Sequence, residues 1–425
     1  MALKSNEKQV LLTFDLPVGN FKVTVDNSFK DVSCARINDG QLERFDLANA
    51  LPKETGYMLM ARQIDGQGII KFGRNGGPAE EIDTSELLTG LGSISKSLGT
   101  EELKLNYLLI TPLSSKNSKT GNRSWRKSRP LEVGHRGCGN SFNTKNKDNV
   151  VDPSLMANIR ENSIHSLTTA RTIGNADMVE FDVTITKDLV PIIYHDLSVL
   201  QRGDEVKIKD LTLEEMRSSD VCDMSRKTLT HTPTFDLTDK VPGSETSPTF
   251  AAVSDDVDSG VDFNVELKWP PMDSAEEKAF FEINDYCDRI IDVVRNSKTT
   301  RGIVYSSFSP RVCACLKFKQ SEFEVIQLVW GDSGHYGFHH DSRVKTISNA
   351  AAWCEFLDMA GVNTLVNDAL KKDTFEKSLK DIRDRNLVIG VYGDLLNYEE
   401  NRVYCRNLGL DLVIYDNIHV FNKTS

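Results

Sequence analysis

Residues 178–183 read MVEFDV, a stretch in which apolar and acidic residues alternate. Successive side chains of a strand point to opposite faces, so Glu180 and Asp182 share one face and the apolar residues share the other. Two carboxylates on one face of a packed strand repel each other and lose hydration unless a cation or a hydrogen-bond donor compensates them. The stretch therefore predicts a buried strand that carries a charged site.

Other apolar runs along the chain also end in polar residues, at 131–135, 191–195 and 263–268. The chemistry-bearing residues at the ends of these runs are His135, Arg136, His195, Glu266 and Lys268. Histidines and carboxylates gathered at strand ends indicate metal-assisted hydrolysis. Oxygen ligands from three carboxylates suit a hard ion such as Mg²⁺ or Ca²⁺ better than zinc, and the sequence leaves the choice between those two ions open.

From about residue 131 onward, short apolar runs alternate with helix-patterned stretches, which is typical of parallel strands joined by crossover helices. The predicted strands are 131–135, 178–184, 262–267, 302–308, 323–330, 362–367, 387–393 and 411–416. The predicted helices are 161–174, 275–297, 310–319, 348–360, 374–385 and 398–408. Eight strand-helix units favour an α/β fold, the (β/α)8 TIM barrel, whose chemistry gathers at the carboxyl ends of the strands.

The chain divides into regions of different pattern. Residues 1–113 carry alternating or β-branched runs, at 10–14, 21–25, 57–60 and 103–110, that predict a small antiparallel β-rich N-terminal domain, so two domains are expected in all. Residues 114–129 form a linker with six basic residues, expected to be solvated, with an anionic docking surface as the alternative. Residues 130–425 are assigned to the barrel, and an insertion at about 197–260 is expected to cover or flank the site.

Composition limits the function classes. The net charge of -11 and the pI near 5.4 argue against a nucleic-acid partner. Eight cysteines without regular spacing indicate reduced thiols. The amino terminus has no apolar signal core, and no run approaches the roughly 20 apolar residues that cross a bilayer. We therefore expect a soluble cytoplasmic protein without a membrane span, whose partner is a small molecule, while protein partners are not predicted.

Five motifs occur in order: GHRG at 134–137, ENS at 161–163, VEFDV at 179–183, YHD at 194–196 and ELK at 266–268. One such motif recurs by chance, whereas five in order on the predicted strands do not. On these motifs, residues 131–420 resemble the glycerophosphodiester phosphodiesterase family, closest to its cytosolic glycerophosphocholine branch. The resemblance implies a metal-dependent hydrolase of glycerophospholipid catabolism that converts glycerophosphocholine to glycerol 3-phosphate and choline.

The resemblance also implies residue roles. The general acid and base would be His135 and His195, and the metal ligands would be Glu180, Asp182 and Glu266. The substrate-binding residues would be Arg136, Lys268, Glu161, Trp330 and Tyr392, of which Arg136 and Lys268 would hold phosphate oxygens or instead pair with Glu161. The attacking oxygen could be the neighbouring glycerol hydroxyl or water. A choline ammonium would favour an aromatic face, and the candidates near strand ends are Trp269, Trp330 and Tyr392.

The chain departs from the family in two places. Longer members carry a starch-binding module, but no tryptophan precedes Trp125, so residues 1–113 are not expected to bind starch. Where the family has a Trp-Thr-Val-Asn strand end, this chain reads VYGDLLN at 391–397, so Tyr392 stands for the tryptophan and the alignment of Asn397 is open. The alternative functions are a lysophospholipase D-type hydrolase and a non-catalytic barrel scaffold that binds a partner through its N-terminal domain.

Overall fold

A computed structural model describes residues 2–15, 21–51, 56–64, 67–74, 79–98, 100–115, 123–218, 220–224, 247–330 and 341–422. The strands of the amino-terminal region are β1 (Lys8–Phe14), β2 (Phe21–Val25), β3 (Phe29–Asn38), β4 (Gln41–Phe45), β5 (Tyr57–Gln63), β6 (Ile69–Arg74), β7 (Ala79–Asp83), β8 (Leu91–Leu98) and β9 (Glu101–Ile110). The following strands are β10 (Leu131–Gly134), β11 (Met178–Ile185), β12 (Pro191–Ile193), β13 (Ser198–Gln201), β14 (Asp204–Lys207), β15 (Val221–Cys222), β16 (Asp262–Leu267), β17 (Ile303–Ser307), β18 (Glu324–Val329), β19 (Gly361–Leu365), β20 (Val388–Tyr392) and β21 (Leu412–Tyr415).

The α-helices of the described residues all follow the first barrel strand in the chain. They are α1 (Ile164–Thr172), α2 (Leu213–Met216), α3 (Phe250–Asp256), α4 (Ala275–Lys278), α5 (Ile283–Asn296), α6 (Pro310–Lys319), α7 (Ile347–Leu357), α8 (Val366–Ala369), α9 (Lys372–Asp384), α10 (Glu399–Asn407) and α11 (Ile418–Phe421). The single helix predicted at 275–297 is wrong as one element. The Glu282 side chain accepts a hydrogen bond from the Asp285 N–H and starts α5 as a separate helix.

Eight parallel strands close into a barrel in the order β10, β11, β16, β17, β18, β19, β20 and β21, with β21 paired back to β10. The structure confirms the predicted (β/α)8 barrel, and each predicted strand overlaps one of these eight. Strand β11 is buried along its whole length. Side chains such as Phe181 pack between the strands and the surrounding helices. On the inner face of the strands, buried side chains such as Val133, Val304 and Ile326 pack together, so the barrel is a filled core rather than a pore.

The amino-terminal region contains two antiparallel sheets, ordered β4-β3-β5-β1-β9-β8 and β2-β6-β7. Phe14, Phe72 and Tyr57 form an aromatic centre between them. The β-rich character predicted for this region is confirmed. The bounds 1–113, 114–129 and 130–425 stay predictions.

The larger amino-terminal sheet packs on the outside of the barrel, against helices α6 and α7. The Leu3 N–H donates to the Phe318 carbonyl at 3.0 Å, and buried Lys319 donates to the Thr111 carbonyl at 2.9 Å. Arg385 donates to the Gly40 carbonyl at 2.9 Å. These contacts lie away from the carboxyl rim of the barrel, so the sheet supports the helix layer and does not enter the cavity at that rim.

The described part of the basic linker lies at the amino ends of the barrel strands. Arg129 and Lys127 both pair with Asp177, at 2.7 and 2.5 Å, and Arg123 pairs with Asp262 at 2.6 Å. These three positive charges are thus compensated by carboxylates of the barrel itself. All eight cysteines are free. Among the residues described here, no helix has the length and apolar composition to cross a membrane.

Candidate active site

The carboxyl ends of the barrel strands meet around a cavity of about 290 Å³, which we call the rim cavity. Because parallel strands end at one rim, residues far apart in the chain line it together. Of the ten site residues predicted from the sequence, nine line this cavity: His135, Arg136, Glu180, Asp182, His195, Glu266, Lys268, Trp330 and Tyr392. The tenth, Glu161, lines an adjoining cavity of about 280 Å³.

Glu180, Asp182 and Glu266 form a compact acidic triad. Each offers a carboxylate oxygen, and these oxygens all lie within 4.8 Å of one another. The register between β11 and β16 explains the approach, since Asp182 lies directly opposite Glu266. Glu180 Oε2 accepts the Arg136 backbone N–H at 3.0 Å, whereas Glu180 Oε1 is buried and has no hydrogen-bond partner among the described residues. A buried carboxylate oxygen without a partner is the kind of atom that a bound cation satisfies.

The two carboxylates of β11 have opposite pKa shifts. Burial raises the pKa of Glu180 and the charge of Asp182 adds to that effect, so the pKa of Glu180 reaches about 8. Burial also raises the pKa of Asp182, but the charges of Lys268 and His195 outweigh burial and hold that pKa well below its usual value. The protein alone therefore compensates Asp182 but not Glu180.

Two positive side chains flank the acidic triad. Lys268 Nζ lies 2.7 Å from Glu266 Oε1 and 3.4 Å from Asp182 Oδ1. Arg136 Nε lies 3.5 Å from Asp182 Oδ2. Burial lowers the pKa of Lys268, but the charges of Glu266 and Asp182 outweigh burial and the net shift is upward. Lys268 and Arg136 thus keep fixed positive charges where an anionic group such as a phosphodiester could bind.

A tight turn after β10 positions Arg136. The φ angles of Arg136 and Gly137 are +48° and +86°, both in the left-handed region, and a Cβ at Gly137 would meet the backbone of the helix that carries Ser166. Arg136 Nη1 lies 2.7 Å from Glu161 Oε1, and Glu161 Oε2 accepts the Ser141 N–H at 2.7 Å. Both oxygens of Glu161 are engaged within the protein, so its carboxylate holds the guanidinium in place.

His135 belongs to a chain of buried hydrogen bonds. Its Nδ1 lies 2.7 Å from Asp416 Oδ1, and Asn397 Nδ2 donates to Asp416 Oδ2 at 3.0 Å. The Asn140 N–H also donates to Asp416 Oδ1, at 2.7 Å. Burial lowers the pKa of His135, but the Asp416 carboxylate outweighs burial and the pKa rises to about 9. Because Asp416 engages Nδ1, Nε2 is the ring nitrogen that can serve a substrate.

His195 follows β12 and has the same kind of partner. Its Nδ1 lies 2.7 Å from Asp196 Oδ1. Burial raises the pKa of Asp196, but the hydrogen bond with His195 and the nearby charges of Arg136 and Lys268 together outweigh burial and lower that pKa. The rim cavity thus has two imidazoles, each oriented by a carboxylate, together with an acidic triad and two fixed positive charges. This set can bind an anionic ester and move protons on two sides of it.

An aromatic wall, formed by Phe308, Trp330 and Tyr392, borders another part of the rim cavity. The Phe308 and Trp330 rings stack with centroids 4.0 Å apart, and the Tyr392 ring meets Phe308 edge-on at 5.9 Å. Trp269, also considered from the sequence, instead packs with Phe280 and Tyr286 and donates to Glu277 at 2.8 Å. Trp269 does not line the rim cavity.

Sequence reasoning gave no role to four polar residues near the rim: Asn162, Asp394, Asn397 and Asp416. Asn162 donates to Asp182 Oδ2 at 2.9 Å, next to the acidic triad. Asp416 follows β21 directly, so the strand-end signal that identified His135 also applied to it. The partnership of Asn397 with Asp416 joins two separate strand ends and has no signal in a single sequence.

The insertion at 197–260 is anchored beside the rim. Strands β13, β14 and β15 form a small antiparallel sheet. Asp223 accepts the Tyr194 hydroxyl at 2.6 Å and pairs with Arg160 at 2.6 Å, and Asp223 and Tyr194 both line the adjoining cavity. The described end of the insertion therefore flanks the site. The Thr/Ser/Pro/Asp-rich segment 228–249 lies mostly outside the described residues.

Comparison with known proteins matches this chain to one enzyme family. The sequence model of the glycerophosphoryl diester phosphodiesterase family matches residues 135–420. The glycerophosphocholine phosphodiesterase GPCPD1 of Rattus norvegicus is 29% identical over 348 residues, which cover 77% of this chain and 50% of the relative. The glycerophosphocholine phosphodiesterase GDE1 of Eremothecium gossypii is 25% identical over 384 residues, which cover 76% of this chain and 28% of the relative. The chain thus spans half or less of the length of these relatives.

One solved structure supports the fold. A crystal structure of a Silicibacter pomeroyi DSS-3 protein assigned to the glycerophosphoryl diester phosphodiesterases has a TM-score of 0.50 with this chain, at 15% sequence identity. The match covers 70% of this chain and 94% of the other. At this identity the likeness concerns the barrel architecture alone.

Proposed function

This chain belongs to the glycerophosphoryl diester phosphodiesterase family, and from that membership we propose that it hydrolyses glycerophosphodiesters. The observation that carries the proposal is the rim cavity itself, in which an acidic triad lies with His135 and His195, each paired with its own carboxylate. Phosphodiester hydrolysis needs positive charge at the phosphate and proton transfer at two oxygens. The rim cavity supplies groups for each requirement.

We propose glycerophosphocholine as the substrate, with glycerol 3-phosphate and choline as the products. Two observations support this choice. The rat and fungal relatives are both glycerophosphocholine phosphodiesterases by name. The aromatic wall offers Trp330 and Tyr392 to a quaternary ammonium, a group that aromatic rings attract through their quadrupoles.

The acidic triad fits a divalent cation. Glu180 Oε1 is buried without a hydrogen-bond partner among the described residues, and the pKa of Glu180 is raised mainly by burial. A cation would bind this oxygen and would offset the negative charge of the buried carboxylate. The donor set consists of oxygens, which favours Mg²⁺ or Ca²⁺. When bound, such an ion would attract a phosphodiester oxygen and would offset the negative charge that develops on the phosphoryl group. Glu180, Asp182 and Glu266 would hold it.

The remaining roles fall to side chains of the chain itself. Arg136 would bind a phosphate oxygen through its planar guanidinium, and Lys268 would bind another as a point charge. Glu161 would act through Arg136, because both of its oxygens are engaged within the protein. Lys268 pairs with Glu266 here, so we expect its contact with phosphate to form when the triad's charge is shared with a cation.

His135 and His195 would transfer the protons. One imidazole takes the proton of the attacking oxygen, which is either water or the neighbouring glycerol hydroxyl, and the other gives a proton to the leaving alkoxide. Asp416 and Asp196 fix which ring nitrogen faces the reaction, and Asp416 also stabilises the protonated ring of His135. The glycerol-hydroxyl route passes through a cyclic phosphate that water then opens, so trapping of that compound distinguishes the two routes.

The test is choline release from glycerophosphocholine by the purified protein, with and without a chelator. We expect release to stop with the chelator, to return with Mg²⁺ or Ca²⁺, and to fall by about 10²-fold to 10⁴-fold in His135→Ala. His165→Ala is the matched control, because His165 lies on α1 and does not line the rim cavity. Release that is unchanged by the chelator and by His135→Ala would rule out the proposed mechanism.

The alternative functions have less support. A lysophospholipase D-type enzyme needs an apolar groove for an acyl tail, whereas the rim cavity of about 290 Å³ is lined largely by charged and amide side chains. A non-catalytic scaffold has no need for an acidic triad and two carboxylate-paired histidines in one cavity. If the wild-type protein hydrolyses none of a panel of glycerophosphodiesters, that result would favour the scaffold hypothesis.

A further inference from the structure

Asp394 lines the rim cavity together with the aromatic wall, and the proposed mechanism gives it no role. It lies two residues after Tyr392, the last residue of β20, and begins a short 3-10 turn, Asp394–Asn397. Gly393, between them, has a φ of +121°, which an L side chain rarely adopts. The backbone therefore turns sharply here and leaves a carboxylate at the edge of the cavity.

The Asp394 carboxylate has no direct ion-pair partner among the described residues, and the charges of His135 and Arg136 offset its burial only in part. Its Oδ2 accepts the Lys145 backbone N–H at 3.0 Å, and among the described residues no lysine or arginine side chain lies within ion-pair distance of it. Burial raises the pKa of Asp394 and the Asp416 carboxylate adds to that effect, so the pKa reaches about 6. The cavity thus holds an acidic group that a cationic ligand would stabilise in its charged form.

The other carboxylates of the rim are already committed. The acidic triad is shared with Lys268 and forms the candidate metal site, of which Asp394 is not a member. Asp416 is held by His135, Asn397 and Asn140. Among these rim carboxylates, Asp394 is therefore the one that remains for a charged part of the substrate.

The aromatic wall beside Asp394 is rigid. The Tyr392 hydroxyl donates to the Val329 carbonyl at 2.8 Å, which fixes the ring, and Phe308 stacks on Trp330. Aromatic rings together with an anion are the usual chemistry by which proteins recognise a quaternary ammonium, because the rings offer negative faces and the anion adds a full charge. A neutral polyol gains much less from the same surroundings.

We propose that Asp394 selects substrates with a positively charged head group, by pairing with the ammonium while Trp330 and Tyr392 contact its methyl groups. Asp394 is then a specificity-determining residue of the rim cavity. The inference rests on the proposed function, since it concerns the head group of that same substrate. It adds a residue and a cause of selectivity that the acidic triad and the histidines do not provide.

The direct test compares Asp394→Asn with the wild type on two substrates. For glycerophosphocholine we expect kcat/KM to fall by about tenfold or more, the size expected for loss of one charged partner of a partly desolvated ion pair. For glycerophosphoglycerol, which has a neutral head group, we expect kcat/KM to change by less than about twofold. Asp394→Glu, which keeps the charge, should recover part of the glycerophosphocholine activity, and Asp373→Asn on the surface of α9 is the matched control.

A binding measurement keeps the proposal testable without turnover. Calorimetry with choline and with its uncharged isostere 3,3-dimethylbutan-1-ol should give tighter binding of choline to the wild type and similar, weak binding of both to Asp394→Asn. A thermal melt of each variant establishes that it is folded. If Asp394→Asn lowers activity equally on both substrates, or leaves the preference for choline unchanged, the proposal is wrong.

The two proposals fail in different ways. A wild-type protein that binds choline through Asp394 but hydrolyses no glycerophosphodiester contradicts the proposed function and leaves the head-group site intact. A wild-type protein that hydrolyses glycerophosphocholine and glycerophosphoglycerol equally well, with no choline preference in calorimetry, contradicts the role of Asp394 and leaves the phosphodiesterase intact.

Discussion

At the two ends of the barrel, buried carboxylates in or next to strand β11 have opposite electrostatics. At the amino end, Asp177 is paired with Arg129 and Lys127 and accepts the Glu132 N–H. Burial raises the pKa of Asp177, but the hydrogen bonds from Arg129, Lys127 and the Glu132 N–H together outweigh burial and hold that pKa below its usual value. At the carboxyl end, the pKa of Glu180 rises to about 8, with burial as its main cause.

The difference separates stability from function at the two ends of the barrel. Ion pairs at the amino end hold the linker against the barrel and satisfy the charges they bury. The carboxyl end keeps a charge that the protein does not satisfy, which costs stability in the absence of a ligand and is typical of a functional site. Three predictions test this comparison, from the largest expected effect to the smallest.

Glu180→Gln is expected to have the largest effect, and in opposite directions on activity and stability. Activity should fall by about 10³-fold or more, because the variant lacks a carboxylate proposed to hold the cation, whose charge would stabilise the transition state by several kcal/mol. The folded-state pKa of Glu180 is raised from an ordinary value of 4.5 to about 8, so the stability it contributes is complete below 4.5 and is lost as pH rises through about 8. In metal-free buffer at about pH 9 the variant should therefore melt roughly 2 °C or more above the wild type.

The same melts measure the cation directly. Mg²⁺ or Ca²⁺ should raise the melting temperature of the wild type and leave that of Glu180→Gln nearly unchanged, since ligand binding to the folded state stabilises it by mass action. A variant that is less stable than the wild type at alkaline pH, or that gains as much from the ion, would contradict the assigned electrostatics of the carboxyl end.

Asp177→Asn is the matched change at the other end of the barrel, and we expect the reverse outcome. Asp177 is buried but its partners are about half exposed, so the loss in free energy of unfolding should be about 1–2 kcal/mol at neutral pH. Because the folded-state pKa is below the ordinary 3.8, this contribution is present above that value and is lost as pH falls below it. Chemical denaturation at two pH values measures the loss, and kcat/KM should stay within about twofold. A large loss of activity without a loss of stability would mean that the two ends are coupled.

Arg126→Ala should have the smallest effect. Arg126 pairs with Glu324 at 2.5 Å at the amino end of the barrel, but both side chains are more than two-fifths exposed. Such pairs contribute about 0.5 kcal/mol or less, and added salt weakens them further. Denaturation of the variant at low and high salt should therefore differ little from the wild type. A loss comparable with that of Asp177→Asn would show that exposed linker charges matter as much as the buried carboxylate.

The barrel could be predicted from the sequence because each strand is a short apolar run bounded by turn or helix signals. In the amino-terminal region, the runs at 10–14 and 21–25 predicted β1 and β2, whereas β4 was not predicted. Strand β4 lies at the edge of its sheet and its burial alternates only weakly. Its sequence, QLERF, therefore has no clear alternation of apolar and polar residues and resembles that of a loop. Edge strands depend on their neighbours more than on their own pattern.

The site residues could be predicted for a related reason. Glu180, Asp182 and Glu266 interrupt apolar strands, and a charged residue in such a position needs a compensating cation or hydrogen-bond donor. Asp394 and Asn397 could not be predicted in the same way, because they lie in a turn after β20 where polar residues are ordinary. Their significance depends on which neighbours they meet.

The sequence by itself determined the strand count, the barrel class and which charged residues lie at strand ends, because strand periodicity and the position of polar residues within apolar runs are local properties. Only the tertiary structure decided which charges are compensated. Pairing of β11 with β16 brings Asp182 opposite Glu266, and closure of the barrel between β10 and β21 brings Asp416 to His135. The linker folds back onto Asp177. Electrostatic energies depend on distances across the barrel and on burial, and neither quantity is present in the order of the residues.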